Sequence, residues 1–147
     1  MKTALIIIVA ILAINAVIFI CFVFYKSRQA RRRVYQELGN DSHILPVSKA
    51  SFAGFSSLSH HQTNGPGHLG LTADKLVFCM LLPTFKIVLK TSRITKVLIK
   101  TNDGKRIDGK SMLEFFFDSG DEKDSAVFAV HNASAWESAI AELIQRR

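Results

Sequence analysis

The chain has 147 residues, 48% of them hydrophobic, with a formal net charge of +7 and two cysteines. That length allows one small domain beside a tether and leaves no room for a second core of ordinary size. Two cysteines exclude a disulfide framework and agree with a reducing compartment.

Thr3 to Tyr25 is apolar throughout except for Asn15, and Lys26, Arg28, Arg31, Arg32 and Arg33 follow within eight positions. Twenty-three helical residues would reach about 34 Å, enough to cross a hydrocarbon core of about 30 Å. A cleavable secretory signal is the competing reading. Its apolar stretch would be shorter, at about 7–15 residues, and would end in small residues. Here Phe24, Tyr25 and Lys26 stand at that end, and a bulky Ile20 precedes Cys21 where a lipidation site needs a small residue. Cationic flanks stay cytoplasmic, so this segment predicts a single-pass anchor in the cell (inner) membrane with the body on the cytoplasmic side. Asn15 would be a tolerated midplane amide or a contact to a second helix.

The expected division is residues 1–25 as transmembrane anchor, 26–49 as basic juxtamembrane stem and linker, and 50–147 as a folded domain. Arg31 to Leu38 continues the helix for two turns and stops at Gly39-Asn40. Asp41 to Lys49, containing Pro46, reads as linker. Ser51 to Leu58 alternates weakly and would be a first strand, and His60 to Gly67, with Asn64-Gly65-Pro66-Gly67, a loop.

The remaining pattern is β. His68–Leu71 is a short strand, Thr72-Ala73-Asp74-Lys75 a turn, and Leu76–Leu82 a dense apolar strand stopped by Pro83. Phe85–Lys90 and Ile94–Lys100 alternate, with Lys86, Lys90, Lys96 and Lys100 outward. Asn102-Asp103-Gly104 is a hairpin turn. Met112–Phe117 and Ala126–His131 are strands around an acidic tip at 118–124. Six or seven short strands predict a mainly β fold, a small antiparallel barrel or sandwich. Ser134-Ala135-Trp136-Glu137 matches a capping box. Trp136, Ile140, Leu143 and Ile144 then share one helical face, so a C-terminal α-helix would cap the barrel.

Gly67-His68-Leu69-Gly70-Leu71-Thr72-Ala73-Asp74-Lys75-Leu76-Val77-Phe78, followed by a closing helix with Trp in its first turn, resembles the pleckstrin-homology-like (GRAM-like) superfold. The chain is also similar to small bacterial membrane-anchored proteins with a domain of this kind. They share the Ser51-Phe52 segment, the stretch from Ile87-Val88-Leu89 to Ile94-Thr95-Lys96-Val97 (where Val88 replaces the usual Pro), a Gly-Lys turn and the Trp helix. The resemblance spans about residues 50–145 and rests on structural motifs. It implies a non-enzymatic module that binds lipid headgroups, peptides or other proteins. It carries over no cofactor and no specific headgroup site.

One motif points elsewhere. Gly104-Lys105-Arg106-Ile107-Asp108-Gly109-Lys110-Ser111 fits the phosphate-binding pattern G-x-x-x-x-G-K-[ST]. That chemistry needs a helix directly after the loop to present its amides to phosphate, whereas Met112–Phe117 reads as a strand. A basic hairpin is the better reading. His60-His61 lacks a third metal ligand at suitable spacing. Asp118, Asp121, Glu122 and Asp124 lack the order of a calcium loop. No nucleophile elbow is present. Neither an enzyme nor a metal site is expected.

Charge is uneven. Residues 67–110 hold nine Lys/Arg against three Asp/Glu, and residues 111–147 hold three against seven. If Phe85–Lys90 and Ile94–Lys100 are neighbours, Lys86, Lys90, Lys96 and Lys100 share one sheet face, with Arg93, Lys105, Arg106 and Lys110 in adjoining turns. Near an anionic leaflet each cation is worth about 1 kcal/mol. Solubility and edge protection are the plainer account of the same lysines. Lys26, Arg28, Arg31, Arg32 and Arg33 are topology determinants first. Two function classes follow: a membrane-anchored module contacting anionic membrane lipids, or an interaction subunit docking another membrane protein. Nucleic acid is disfavoured, because exposed aromatics do not interleave the cations.

Overall fold

Anchor and stem form one unbroken helix, α1 (Lys2–Leu38). In the computed structural model, residues 2–57, 63–100, 111–120 and 123–146 are described. No Pro or Gly interrupts the helix, and its 37 residues correspond to about 55 Å. Gly39 ends it at φ 69°, a left-handed position that glycine takes without a Cβ penalty. Its N–H bonds the Tyr35 carbonyl at 3.0 Å.

Seven strands follow: β1 (His43–Phe55), β2 (Gly65–Thr72), β3 (Lys75–Met80), β4 (Lys86–Lys90), β5 (Ile94–Lys100), β6 (Ser111–Asp118) and β7 (Lys123–Val130). A 3-10 turn at Thr91–Arg93 joins β4 to β5, and α2 (Ala133–Gln145) closes the chain. Every pairing is antiparallel, in the order β4-β3-β2-β1-β7-β6-β5. The mainly β expectation with a closing helix is met.

β1 links the halves of the sheet. Its first part pairs with β2, and Ala50 to Phe55 pair with β7. The sheet curls upon itself, because Phe78 on β3 meets Phe128 on β7 at 5.2 Å between ring centroids despite two intervening strands. Phe128 also meets Phe52 at 5.3 Å and Phe115 at 5.5 Å. Leu69, Leu71, Leu76, Leu113 and Phe115 complete this interior, and Trp136 and Ile140 of α2 cover it. α2 rests chiefly on β5 and β6.

A second apolar layer lies on the opposite side of β2 and β3. Ala30, Val34 and Leu38 of α1 pack there on Val47, Val77 and Cys79. β2 and β3 are therefore covered on both faces, which explains why Leu76–Met80 is continuously apolar rather than alternating.

Four expectations are corrected. Residues His43–Lys49 are not linker but the first half of β1, because Val47 and, next along the strand, Ala50 are buried, Leu45 is half-buried, and register shifts on either side of Leu45 accommodate Pro46. Gly65–Gly67 is not loop but the start of β2, paired with Phe52–Ala50. The capping box does not form. Asn132, at φ 55°, is the N-cap, and the Ser134 hydroxyl donates to its Oδ1 at 3.2 Å. The helix thus starts at Ala133, one residue before the Ser that would have capped it. Finally, β4 and β5 are not hydrogen-bonded neighbours but the two outer strands of the order.

Candidate functional site

The tight joint between α1 and the sheet follows from β2's side-chain alternation. Leu69 and Leu71 point into the barrel, so His68 and Gly70 face α1. A Cβ on Gly70 would stand 2.6 Å from Leu38 Cδ1 and 2.9 Å from Val34 Cγ1, so glycine admits the helix. About two turns nearer the apolar run, His68 is 5% exposed and its Nε2 lies 3.0 Å from Ser27 Oγ. Its Nδ1 is buried without a hydrogen-bond partner among the described residues. Burial first, then the charges of Arg31 and Lys49, hold the imidazole below its ordinary 6.5, so it is neutral at pH 7.

This joint encloses a cavity of about 280 Å3 between the last apolar turn of α1 and the sheet. Val23, Phe24 and Ser27 form its helix wall, with Lys49, His68 and Leu81 opposite. The basic belt continues up the helix. Lys26 sits 5.6 Å from the Phe22 ring centroid, and Arg31 sits 5.7 Å from that of Tyr35, to whose hydroxyl it donates at 3.4 Å. Arg28 and Arg32 are exposed and Arg33 is half-buried. The apolar part of α1 is unburied, and the helix is long and apolar enough to cross a membrane.

The outward lysines do not converge as one face. All four are exposed, but Lys86 pairs with Glu37 of α1 at 2.6 Å and Lys100 with Glu114 of β6 at 3.4 Å. Glu114 also accepts from the Ser125 hydroxyl at 2.7 Å. Lys90 and Arg93 do come together, in a cleft of about 340 Å3 between β4 and Phe117–Ser119 at the end of β6. Lys96 stands apart on β5. Among the described residues, Lys90, Arg93 and Lys96 form no ion pair. Lys105, Arg106 and Lys110 lie outside the described residues, as do His60 and His61.

At the acidic tip, Asp121 and Glu122 are outside the described residues, and Asp124 serves a structural bond. Its carboxylate accepts from the Ser56 and Ser57 hydroxyls at 2.9 and 2.7 Å, and from the Ser57 and Ser125 amides at 3.0 and 2.7 Å. Partial burial pushes this carboxyl upward, but the combined hydrogen bonds prevail and hold it below its usual range. The phosphate-loop alternative loses its required element, since Ser111 opens strand β6 rather than a helix. Among the described residues no three His, Cys, Asp or Glu gather to hold a metal ion.

Sequence reasoning missed the joint at His68. The available signal was the small and polar outward set of β2 beside the doubly apolar β3, a pattern that asks for a covering element.

No protein-family model matches the sequence, and no curated protein matches it. Among solved structures, the chain is similar to the C-terminal domain of an unknown protein from Leishmania infantum, with a TM-score of 0.54 at 11% identity, over 77% of this chain and 94% of that one. It is also similar to Vav1 bound by an allosteric inhibitor, with a TM-score of 0.49 and 12% identity over 71% of this chain and 27% of that one. The PDZ-RhoGEF DH/PH domains in complex with activated RhoA give 0.49 and 14% over 80% and 33%. This chain thus spans about a third or less of the two exchange-factor chains. The likeness to the Leishmania domain is one of fold alone.

Proposed function

We propose that the chain is a non-enzymatic, single-pass membrane-anchored module whose pleckstrin-homology-like body is held at the cytoplasmic leaflet and contacts anionic lipid headgroups. The observation that carries this reading is the continuity of α1. Its apolar half is exposed on all sides, and its basic half is bolted to β2 and β3 by Ala30, Val34 and Leu38. A rigid helix would fix the height and tilt of the body over the bilayer, so no flexible tether has to be ordered on binding. Lys90, Arg93 and Lys96, outside any ion pair with described residues, are the cations best able to meet phosphates.

The full chain reconstituted into phosphatidylcholine vesicles, with and without phosphatidylglycerol, tests this. Acylation of Lys90 and Lys96 by a water-soluble reagent should fall when anionic lipid is present and recover in high salt, since screening acts within about 8 Å at physiological ionic strength. Equal labelling in both vesicles would remove the headgroup contact. Recovery of the chain in the carbonate-soluble fraction of cells would remove the anchor.

A second reading is favoured by one feature: Val88 on β4 and Leu98 on β5 are 44% and 38% exposed on the outer strands. Outer strands carrying exposed apolar side chains suit an added strand from another protein. Specific crosslinking from these strands, together with lipid-independent lysine labelling, would select the interaction subunit.

A further inference from the structure

We infer that the cavity at the joint of α1 and the sheet is a binding site for the phosphate and upper ester region of one anionic phospholipid. The inference rests on the membrane-anchored reading, because only then does the cavity lie at headgroup depth. Its helix wall, Val23 and Phe24, belongs to the last turn of the apolar run, and Ser27 begins the basic stem. A molecule lodged there would have acyl chains beside Phe24 and a headgroup beside Lys49, the division a phospholipid carries.

The polar groups match that occupant. Lys49 supplies an exposed ammonium at the mouth, Arg31 lies close enough to act on His68, and no acidic side chain lines the cavity among the described residues. His68 lines the cavity, and its Nδ1 is a buried nitrogen without a partner among the described residues, an unfavourable state that an acceptor on a ligand would relieve. With Ser27 donating its hydroxyl proton to Nε2, Nδ1–H becomes a donor for a phosphate or ester oxygen. The remaining walls, including Leu81 and Pro66, are apolar, so a small hydrated anion would leave most of the volume unfilled. That difference favours lipid over free phosphate.

The test uses the full chain in a neutral maltoside detergent, titrated with phosphatidylglycerol, phosphatidylcholine or inorganic phosphate. The readouts are the melting midpoint and the 15N resonances of the His68 ring. Phosphatidylglycerol should raise the midpoint and move the Nδ1 resonance. Phosphatidylcholine should bind about tenfold more weakly, and inorganic phosphate should do neither. Lys49→Gln and His68→Gln should each weaken phosphatidylglycerol by about tenfold, the worth of one charge-assisted hydrogen bond, while substitution of the exposed β7 lysine, Lys123→Gln, leaves it unchanged. Equal effects of the two lipids, an equal response to inorganic phosphate, or an unchanged affinity in Lys49→Gln would each overturn the assignment. These results are separable from failure of the anchor, which shows instead as carbonate-soluble chain in cells. Lys49 is an exposed strand residue, so its substitution probes the site without threatening the fold.

Discussion

Val34 Cγ1 approaches the backbone of Gly70 so closely that a Cβ on that glycine would lie 2.9 Å away, with Leu38 Cδ1 at 2.6 Å. This contact turns a membrane-type helix into part of the domain. The atoms in the way are side-chain ends, which can shift. At Gly67 a Cβ would collide with the Cys79 carbonyl oxygen and lie 2.5 Å from the Phe78 ring, and a paired strand cannot yield. Gly70→Ala should therefore cost about 1–3 kcal/mol by overpacking, and Gly67→Ala more. Chemical denaturation of both variants in detergent checks the ranking. Equal losses would mean that the helix does not press on Gly70.

Acid should loosen the same joint. Because burial and neighbouring cations lower the folded His68 pKa below 6.5, the unfolded chain binds its proton first. Stability is full above about pH 6.5 and declines as pH falls toward the folded value. Comparing melting midpoints between about pH 7.5 and pH 5, His68→Gln should show a shallower slope than the parent. Identical slopes would place His68 outside the joint.

Asp124 acts in the same direction over a lower pH range. Its carboxylate gathers four hydrogen-bond donors from Ser56, Ser57 and Ser125, and its folded pKa is held below 3.8. The stability it contributes is present above that value and disappears as pH drops through the folded one. Asp124→Asn should lose about 1 kcal/mol at neutral pH and flatten the acid limb of the stability curve. An acid limb unchanged by the substitution would assign it to other carboxyls.

The Lys86–Glu37 pair joins α1 to β4 at 2.6 Å, with the two side chains 51% and 37% exposed. An ion pair this open is worth about 0–1 kcal/mol and weakens in salt. Lys86→Glu should destabilise by no more than about 1 kcal/mol, and adding Glu37→Lys should restore the parent value. A loss several times larger would mean that Lys86 holds more than this pair.

The barrel was legible in the sequence because its inner positions alternate. Val97 points in while Lys96 and Lys100 point out, and Trp136 and Ile140 share one helical face. The first strand was obscured by Pro46, which breaks the usual pattern but is accommodated among the irregular pairings of β1. The helix–sheet joint was hidden for another reason. Ala30, Val34 and Leu38 are small or ordinary residues between arginines, so the stem reads as a charged connector. Only their spacing of four, set against Gly70 and Cys79 in distant strands, identifies a buried face. The lysine face was a matter of strand order, and alternation within a strand says nothing about which strand lies beside it.

The two native cysteines test the central claim together. Cys79 is 2% exposed beneath α1, and Cys21 lies in the exposed half of the same helix. In the bilayer-embedded full chain, a water-soluble maleimide should modify neither, because the docked helix covers one thiol and lipid the other. Leu38→Ala, costing about 2–5 kcal/mol of packing, should accelerate labelling of Cys79 alone, and full unfolding in denaturing detergent should expose both. Prompt labelling of Cys79 in the parent would contradict a helix bolted to the sheet, and prompt labelling of Cys21 would contradict a helix held in lipid.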